Sequence, residues 1–177
     1  MATFTERDEA PERLMRALRG SFDASVMNFG SYNILYAANS CAGVGKTPDD
    51  AAGSAQQRAA SAPHLLVGYR RQPVELVLCP VDLDDALARA TGRSEAAPEP
   101  SVPVTVNLTN LAGLATDGTG VEITFSTGYR VGLRMCSTVV FEQLSAARIE
   151  QRWDVEDFYE FIDFFMDTVE AQTGQHR

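Results

Sequence analysis

The chain has 177 residues, of which 45% are hydrophobic and 22% are charged, and its formal net charge is −9 at pH 7; this composition is typical of one globular domain over residues 1–177. The negative charge argues against nucleic acid as a partner, because a phosphate backbone would be repelled. The sequence has no apolar run near the roughly 20 residues that span a bilayer, and residues 1–19 lack the apolar centre of a secretory signal, so we expect a cytoplasmic protein without membrane insertion.

The N-terminal region is predicted to begin with a helix and to continue as extended chain. Residues 6–19 place their apolar side chains on one narrow stripe, which predicts a short amphipathic helix that ends at Gly20. Residues 25–29 and 32–37 are strand-like runs, and Gly30-Ser31 between them has the composition of a hairpin turn. We therefore expect a helix followed by a β-hairpin.

Residues 38–62 are small and polar, which predicts a flexible low-complexity loop. This loop contains the string SCAGVGKT, which matches the end of the phosphate-binding pattern G-x-x-x-x-G-K-[ST]. Ser40 stands where the first glycine belongs, and residues 48–62 lack the apolar face that a helix after such a loop needs. We interpret the match as chance, and a nucleotide-dependent enzyme that uses Lys46 and Thr47 is the third functional hypothesis.

The centre of the chain has the composition of strands, with a second loop inside it. Residues 64–70 and 73–82 are rich in apolar and β-branched side chains, which predicts two strands. Residues 88–101 are again of low complexity and are predicted to form a second flexible loop. Residues 102–109 alternate apolar with polar side chains, as a half-buried strand does.

The clearest hairpin of the sequence comes next. Residues 120–126 and 129–136 each alternate apolar with other side chains, and Thr127-Gly128 between them supplies the turn. Residues 139–150 are ambiguous, because they begin with strand-like residues and end with a helix-like pattern. We therefore expect one further strand pair here and leave the segment after it open.

The last segment is an amphipathic helix with Asp154 as its predicted N-cap and Asp157 three residues later. The chain is thus predicted to contain an N-terminal helix, about six to seven strands in antiparallel hairpins, and this terminal helix. This order of elements predicts an α+β fold. We expect a curved antiparallel sheet or a small open barrel, with a short N-terminal helix and an amphipathic C-terminal helix as its cap. The predicted apolar face of the cap is formed by Val155, Phe158, Ile162, Phe165 and Val169.

The strings NLTNLAGLATDGTGVEITFSTGYRVGLRM and DVEDFYEFIDFF resemble the late strands and closing helix of pleckstrin-homology-like barrels, including the small bacterial PH and GRAM-like domains. The resemblance implies a binding module without catalysis. It implies no lipid-headgroup residues here, because the turn FGSY, where the family carries basic side chains, has none. The second hypothesis for the family is a START-like or other helix-grip fold, in which a long terminal helix seals an apolar ligand cavity.

Cysteine and histidine are too few and too scattered to predict a metal centre or a catalytic site. Cys41, Cys79 and Cys136 form no C-x-x-C pair, and His64 and His176 do not have the spacing of further ligands. No serine or cysteine lies in a nucleophile-elbow pattern. We therefore predict no catalytic residue, no metal and no cofactor.

The carboxylates of the terminal helix lie opposite its apolar face, and Phe161 and Phe164 fall outside the apolar stripe. A solvated helix face explains such carboxylates in the ordinary way, and residues 139–150 or the N-terminal helix could cover both rings. Aromatic residues beside a charged rim are also typical of protein interfaces. The predicted interface residues are Glu156, Glu160, Phe161, Asp163, Phe164 and Asp167.

The first functional hypothesis is therefore a non-enzymatic adaptor or assembly module of the bacterial cytoplasm. It would contact a protein partner, or a second copy of itself in a homodimer, through the C-terminal helix. The alternative is a domain that binds a small apolar ligand in a pocket between the sheet and this helix. The pocket would be lined by Phe158, Ile162 and Phe165.

Overall fold

The computed structural model describes residues 4–27, 32–43, 54–142 and 148–174. The helices of these residues are α1 (Phe4–Ser25), α2 (Ala55–Ser61), α3 (Leu83–Ala90) and α4 (Arg152–Gly174). The strands are β1 (Asn33–Asn39), β2 (His64–Arg71), β3 (Val74–Pro80), β4 (Val104–Val106), β5 (Leu111–Asp117), β6 (Gly120–Phe125), β7 (Arg130–Arg134), β8 (Thr138–Val140) and β9 (Arg148–Glu150).

Seven strands form one antiparallel sheet in the order β4-β3-β2-β1-β7-β6-β5, and β8 pairs with β9 in a separate hairpin. The two edge strands, β4 and β5, are consecutive in the chain and are joined by the turn at 107–110, so the sheet must curl until its edges approach each other. The Asn110 side chain reaches across this turn, and its Nδ2 donates to the Thr105 carbonyl at 2.8 Å. The predicted α+β fold, with a curved, nearly closed antiparallel sheet and terminal helices, is confirmed.

The concave side of the sheet packs against α4 and forms the larger hydrophobic core. Alternation within β6 and β7 places Val121, Ile123 and Phe125 beside Val131 and Leu133 in this core. The predicted hairpin of these two strands is confirmed, and its turn needs a glycine because Gly128 has φ of +90°. Burial of one sheet face against α4 thus explains the period-two pattern of the sequence.

The other side of the sheet is covered by α1, α3 and the β8–β9 hairpin, which share a second core. Here α1 approaches β2 so closely that a Cβ atom at Gly68 would lie 2.3 Å from Cζ of Phe22. The Arg89 side chain of α3 ties the two helices together, since it donates to the Ala17 carbonyl and to the Ser21 hydroxyl. The central strands β1, β2 and β3 are therefore buried on both faces of the sheet.

The first strand of the predicted N-terminal hairpin is wrong, because α1 continues through Gly20 to Ser25, whereas the second strand, predicted at 32–37, is confirmed as β1. Phe22 and Val26 extend the four-residue spacing of Leu14 and Leu18, and all four side chains are buried. The helical spacing of buried side chains therefore continues to Val26, although the composition of residues 25–29 is strand-like. The predicted turn at Gly30-Ser31 lies outside the described residues.

The two predicted loops are shorter than expected. Residues 38–62 include the end of β1 and all of α2, whose N-cap Ser54 accepts a hydrogen bond from the Gln57 amide at 3.2 Å. Lys46 and Thr47 lie outside the described residues. The second loop begins after α3, a helix that the sequence analysis missed, and residues 91–103 have neither helix nor strand.

The remaining differences concern the ends of elements. The strand predicted at 102–109 is limited to β4, and Val102 and Leu108 are exposed rather than buried. The ambiguous segment at 139–150 contains the last two residues of β8 and all of β9. Asp154 is not an N-cap, because α4 begins two residues earlier and the Val155 amide donates to the Gln151 carbonyl.

Candidate protein-binding surface on the C-terminal helix

The side of α4 that faces the sheet is wider than the sequence pattern predicted. Phe161 is fully buried, with its ring centroid 4.9 Å from that of Tyr69 and 5.8 Å from that of Phe165. The prediction that Phe161 is an interface side chain is therefore wrong for the folded chain. A concave sheet contacts a broad arc of the helix, so a residue at the margin of the narrow apolar stripe becomes part of the core.

The three residues predicted to line an apolar pocket are also part of this core. Phe158, Ile162 and Phe165 are buried between α4 and the sheet. The Phe158 ring lies edge-on to Tyr69, with centroids 5.1 Å apart. These contacts account for their burial without a ligand, and they support the folding of α4 onto the sheet.

A polar cluster between β2 and α4 fixes the rotation of α4 about its own axis. The Tyr69 hydroxyl donates to Oδ2 of Asp157 at 2.8 Å, and the Arg71 guanidinium pairs with Oδ1 of the same carboxylate at 3.0 Å. The hydrogen bond from Arg71 is the main cause that lowers the pKa of Asp157 from its ordinary value, while burial acts in the opposite direction. Burial is the main cause that raises the pKa of Tyr69, so the phenol keeps its proton and stays a donor. The cluster orients the remaining face of α4 toward solvent.

We expect Asp157→Asn to destabilise the protein by about 1 kcal/mol at neutral pH, since it removes a partly exposed ion pair but keeps an acceptor for Tyr69. A carboxylate whose folded pKa is lowered stabilises the fold above the unfolded pKa, and this stabilisation is lost as the pH falls through the folded pKa. The difference between wild type and variant should therefore shrink below about pH 4. Urea unfolding at neutral and acidic pH measures it, and an equal difference at both would contradict the assignment.

The solvent side of α4 carries two exposed aromatic rings in one line. Trp153 is 75% exposed and Phe164 is 40% exposed. The step of eleven residues between them corresponds to about three helical turns, so both rings project from the same side. Trp153 was not identified in the sequence, because the helix was expected to begin after it. We define the acidic aromatic face by these two rings and the exposed carboxylates around them: Trp153, Glu156, Glu160, Asp163, Phe164 and Asp167.

Most carboxylates of the acidic aromatic face form no ion pair within the described residues. Glu156 pairs with Arg152 at 3.1 Å, and Arg152 also lies over the Trp153 ring at 5.4 Å from its centroid. Within the described residues, Glu160, Asp163 and Asp167 form no ion pair. The exposed side of α4 therefore combines large apolar rings with carboxylates of which Glu156 alone is held in an ion pair within the described residues.

No protein-family model, curated protein or solved structure matches the chain, so the resemblance to pleckstrin-homology-like domains stays a prediction. Among the helices of the described residues, none has the length and apolar character that crossing a membrane requires. The same residues contain no group of three or more acidic, histidine or cysteine side chains positioned to hold a metal ion.

Proposed function

We propose that this protein is a non-catalytic interaction module of the cytoplasm that binds a protein partner through the acidic aromatic face. The exposure of Trp153 in line with Phe164 is the observation that carries the proposal. Tryptophan is one of the residue types enriched among the side chains that dominate binding energy at interfaces. Two aromatic rings, Trp153 and Phe164, surrounded by polar side chains have the composition of a protein-contact surface.

The charge of this face selects the partner. Glu160, Asp163 and Asp167 repel a second acidic surface, and the whole chain carries a net charge of −9. Two copies that meet through α4 would bring these carboxylates together, so a homodimer is disfavoured relative to a complex with another protein. The partner is a lysine- or arginine-rich segment whose apolar side chains cover the two rings.

We expect the double variant Trp153→Ala/Phe164→Ala to lose a partner that the wild-type protein retains in affinity capture from cell extract. When that partner is purified and titrated, the affinity of the variant should fall by at least about tenfold, because both central aromatic contacts are gone. Trp153 is the one tryptophan of the chain, so its emission should shift to shorter wavelength as the partner excludes water. Added salt should weaken the complex.

Tyr129→Ala is the matched control, since Tyr129 is 36% exposed and lies outside α4. It should retain the partner with the affinity of the wild type, and thermal unfolding of both variants should stay close to that of the wild type. Binding that survives the double variant, or that Tyr129→Ala reduces equally, would contradict the assignment of the surface to α4.

A further inference from the structure

Among the described strands, β5 is an edge strand with a neighbour on one side only. It pairs with β6, whereas β4 lies at the opposite end of the strand order and forms no ladder with it. The turn at 107–110 joins the two strands, but the chain before β4 leads away from this edge. There the Ser101 amide donates to the Ser25 hydroxyl of α1 at 2.9 Å, and α1 covers the opposite side of the sheet. In the part of the chain that the structure describes, the backbone amides and carbonyls on the outer edge of β5 are therefore open to a further strand.

The two edge strands differ in how well they resist pairing with another chain. β4 has three residues, and the chain that leads into it contains Pro98, Pro100 and Pro103. Short length and proline are devices that keep an edge strand from accepting a neighbour. β5 has seven residues, LAGLATD, without proline, lysine or arginine, and its one charged residue is Asp117 at the end. Its register with β6 shifts once near the start and is regular from Gly113 to Asp117, so this stretch is an unprotected template.

The side chains of this stretch suit an apolar contact on both faces of the strand. Leu114 packs against the larger core but is only half-buried, so the core ends here without a covering strand. Thr116 lies opposite the buried Val121 and shares its concave face, yet Thr116 is exposed. On the other face Ala115 lies opposite Glu122 and is also exposed. Because its side chain is small, another strand can approach closely.

We propose that β5 pairs antiparallel with β5 of a second copy of this chain, so that the two sheets become continuous across a two-fold axis. Under such an axis every contact is reciprocal. The axis passes through the middle of the regular stretch, where Ala115 faces its own copy. Leu114 of each copy then lies opposite Thr116 of the other. Gly113 of each copy lies opposite Asp117 of the other.

The distribution of charge along β5 favours a second copy as the occupant. In this register the two Asp117 carboxylates lie at opposite ends of the paired stretch, four residues apart, or about 14 Å at the usual rise of a strand. No like charges therefore face each other across the pair. A strand without charge from Leu111 to Thr116 offers nothing that selects a basic or an acidic segment of another protein, whereas it is complementary to itself.

This contact uses no residue of the acidic aromatic face, so it stands or falls independently of the partner proposed for α4. The two associations also respond to salt in opposite directions. Each copy carries a net charge of −9, which opposes the approach of a second copy and is screened by salt. Added salt should therefore tighten the dimer, although it should weaken the complex of α4 with a basic segment.

We expect sedimentation velocity of the wild-type protein to show a dimer of twice 19.2 kDa that dissociates on dilution. Ala115→Lys places two like charges face to face at the axis and should weaken the dimer by at least about tenfold. Within its own chain the new lysine lies opposite Glu122, so the fold should be kept. Thr105→Lys is the matched control, because it adds the same charge at an exposed position of the other edge strand, β4. It should leave the dimer unchanged.

An equimolar mixture of Ala115→Lys and Ala115→Asp tests the register of the two strands. Each variant alone should dimerise more weakly than the wild type, and the mixture should regain the dimer, because opposite charges then face each other across the axis. Thermal unfolding of dilute samples checks that each variant is folded. A wild-type protein that stays monomeric at millimolar concentration, a dimer that Thr105→Lys weakens as much as Ala115→Lys, or a mixture that stays monomeric would overturn the proposal.

Discussion

Phe161→Ala is expected to destabilise the protein by about 3–5 kcal/mol, which is the usual cost of removing a buried phenylalanine ring. The ring is fully buried and packs against Tyr69, Phe158 and Phe165, so its loss leaves a cavity at the centre of the contact between α4 and the sheet. Urea denaturation gives the free energy of unfolding. Because a small domain has only about 5–15 kcal/mol in total, much of the variant should be unfolded at moderate urea concentration.

Phe164→Ala is the control, because this ring is the neighbouring aromatic side chain on the solvent side of α4. It should change the free energy of unfolding by less than about 1 kcal/mol, as surface substitutions do. A stable Phe161→Ala variant that had lost partner binding would instead show that Phe161 acts at an interface. Comparable destabilisation by both substitutions would show that α4 buries both faces.

The sequence predicted best those elements of which one face is buried. In β6 and β7 the side chains alternate between core and exterior, and the turn at Gly128 marks the reversal, so pattern and turn agree. β5 was missed because it is an edge strand with partly exposed side chains on both faces. Local periodicity cannot identify a strand whose side chains do not alternate between buried and exposed positions, although β5 pairs with its neighbour β6 in a short hairpin.

The sequence contains the helical spacing of two helical regions that its composition obscures, α3 and the C-terminal end of α1. In α3, Leu83, Ala86, Leu87 and Ala90 have helical spacing after the N-cap Asp82, yet the low complexity of the following loop concealed them. Along α1, the four-residue spacing of buried side chains continues to Val26, just beyond its last residue, whereas the composition of 25–29 is typical of a strand. Spacing is the more reliable signal in both places, because burial depends on which face a side chain occupies.

The candidate sites depend on contacts that no local pattern encodes. Phe161 is buried because the sheet is concave. The carboxylates beside it in the sequence do not indicate this burial. By contrast, the exposure of Phe164 and of the carboxylates of α4 follows from helical geometry alone, and here sequence and structure agree.

A single buried asparagine joins three elements whose connection the sequence could not reveal. At the end of β1, Nδ2 of Asn39 donates to the carbonyls of Ala59, Ala60 and Ala62 at 3.1, 3.1 and 2.9 Å, and so caps the C-terminal end of α2. Its Oδ1 accepts the Gly132 amide of β7 at 3.0 Å. The last carbonyls of a helix have no partner within the helix, so Asn39 supplies one.

Asn39→Ala is therefore expected to destabilise the protein by about 3 kcal/mol or more, since the buried Gly132 amide and the Ala59 carbonyl each lose their partner, at a cost of about 1–3 kcal/mol apiece. Asn39→Asp should destabilise at least as much, because a carboxylate would face three carbonyl oxygens although its shape is unchanged. Asn33→Ala, at the exposed start of β1, should be nearly neutral. Urea unfolding measures the stability of all three variants, and hydrogen exchange should show faster opening of α2 in the Asn39 variants alone. An Asn39→Asp variant as stable as the wild type would disprove the cap, because this substitution removes the hydrogen bonds that Nδ2 donates.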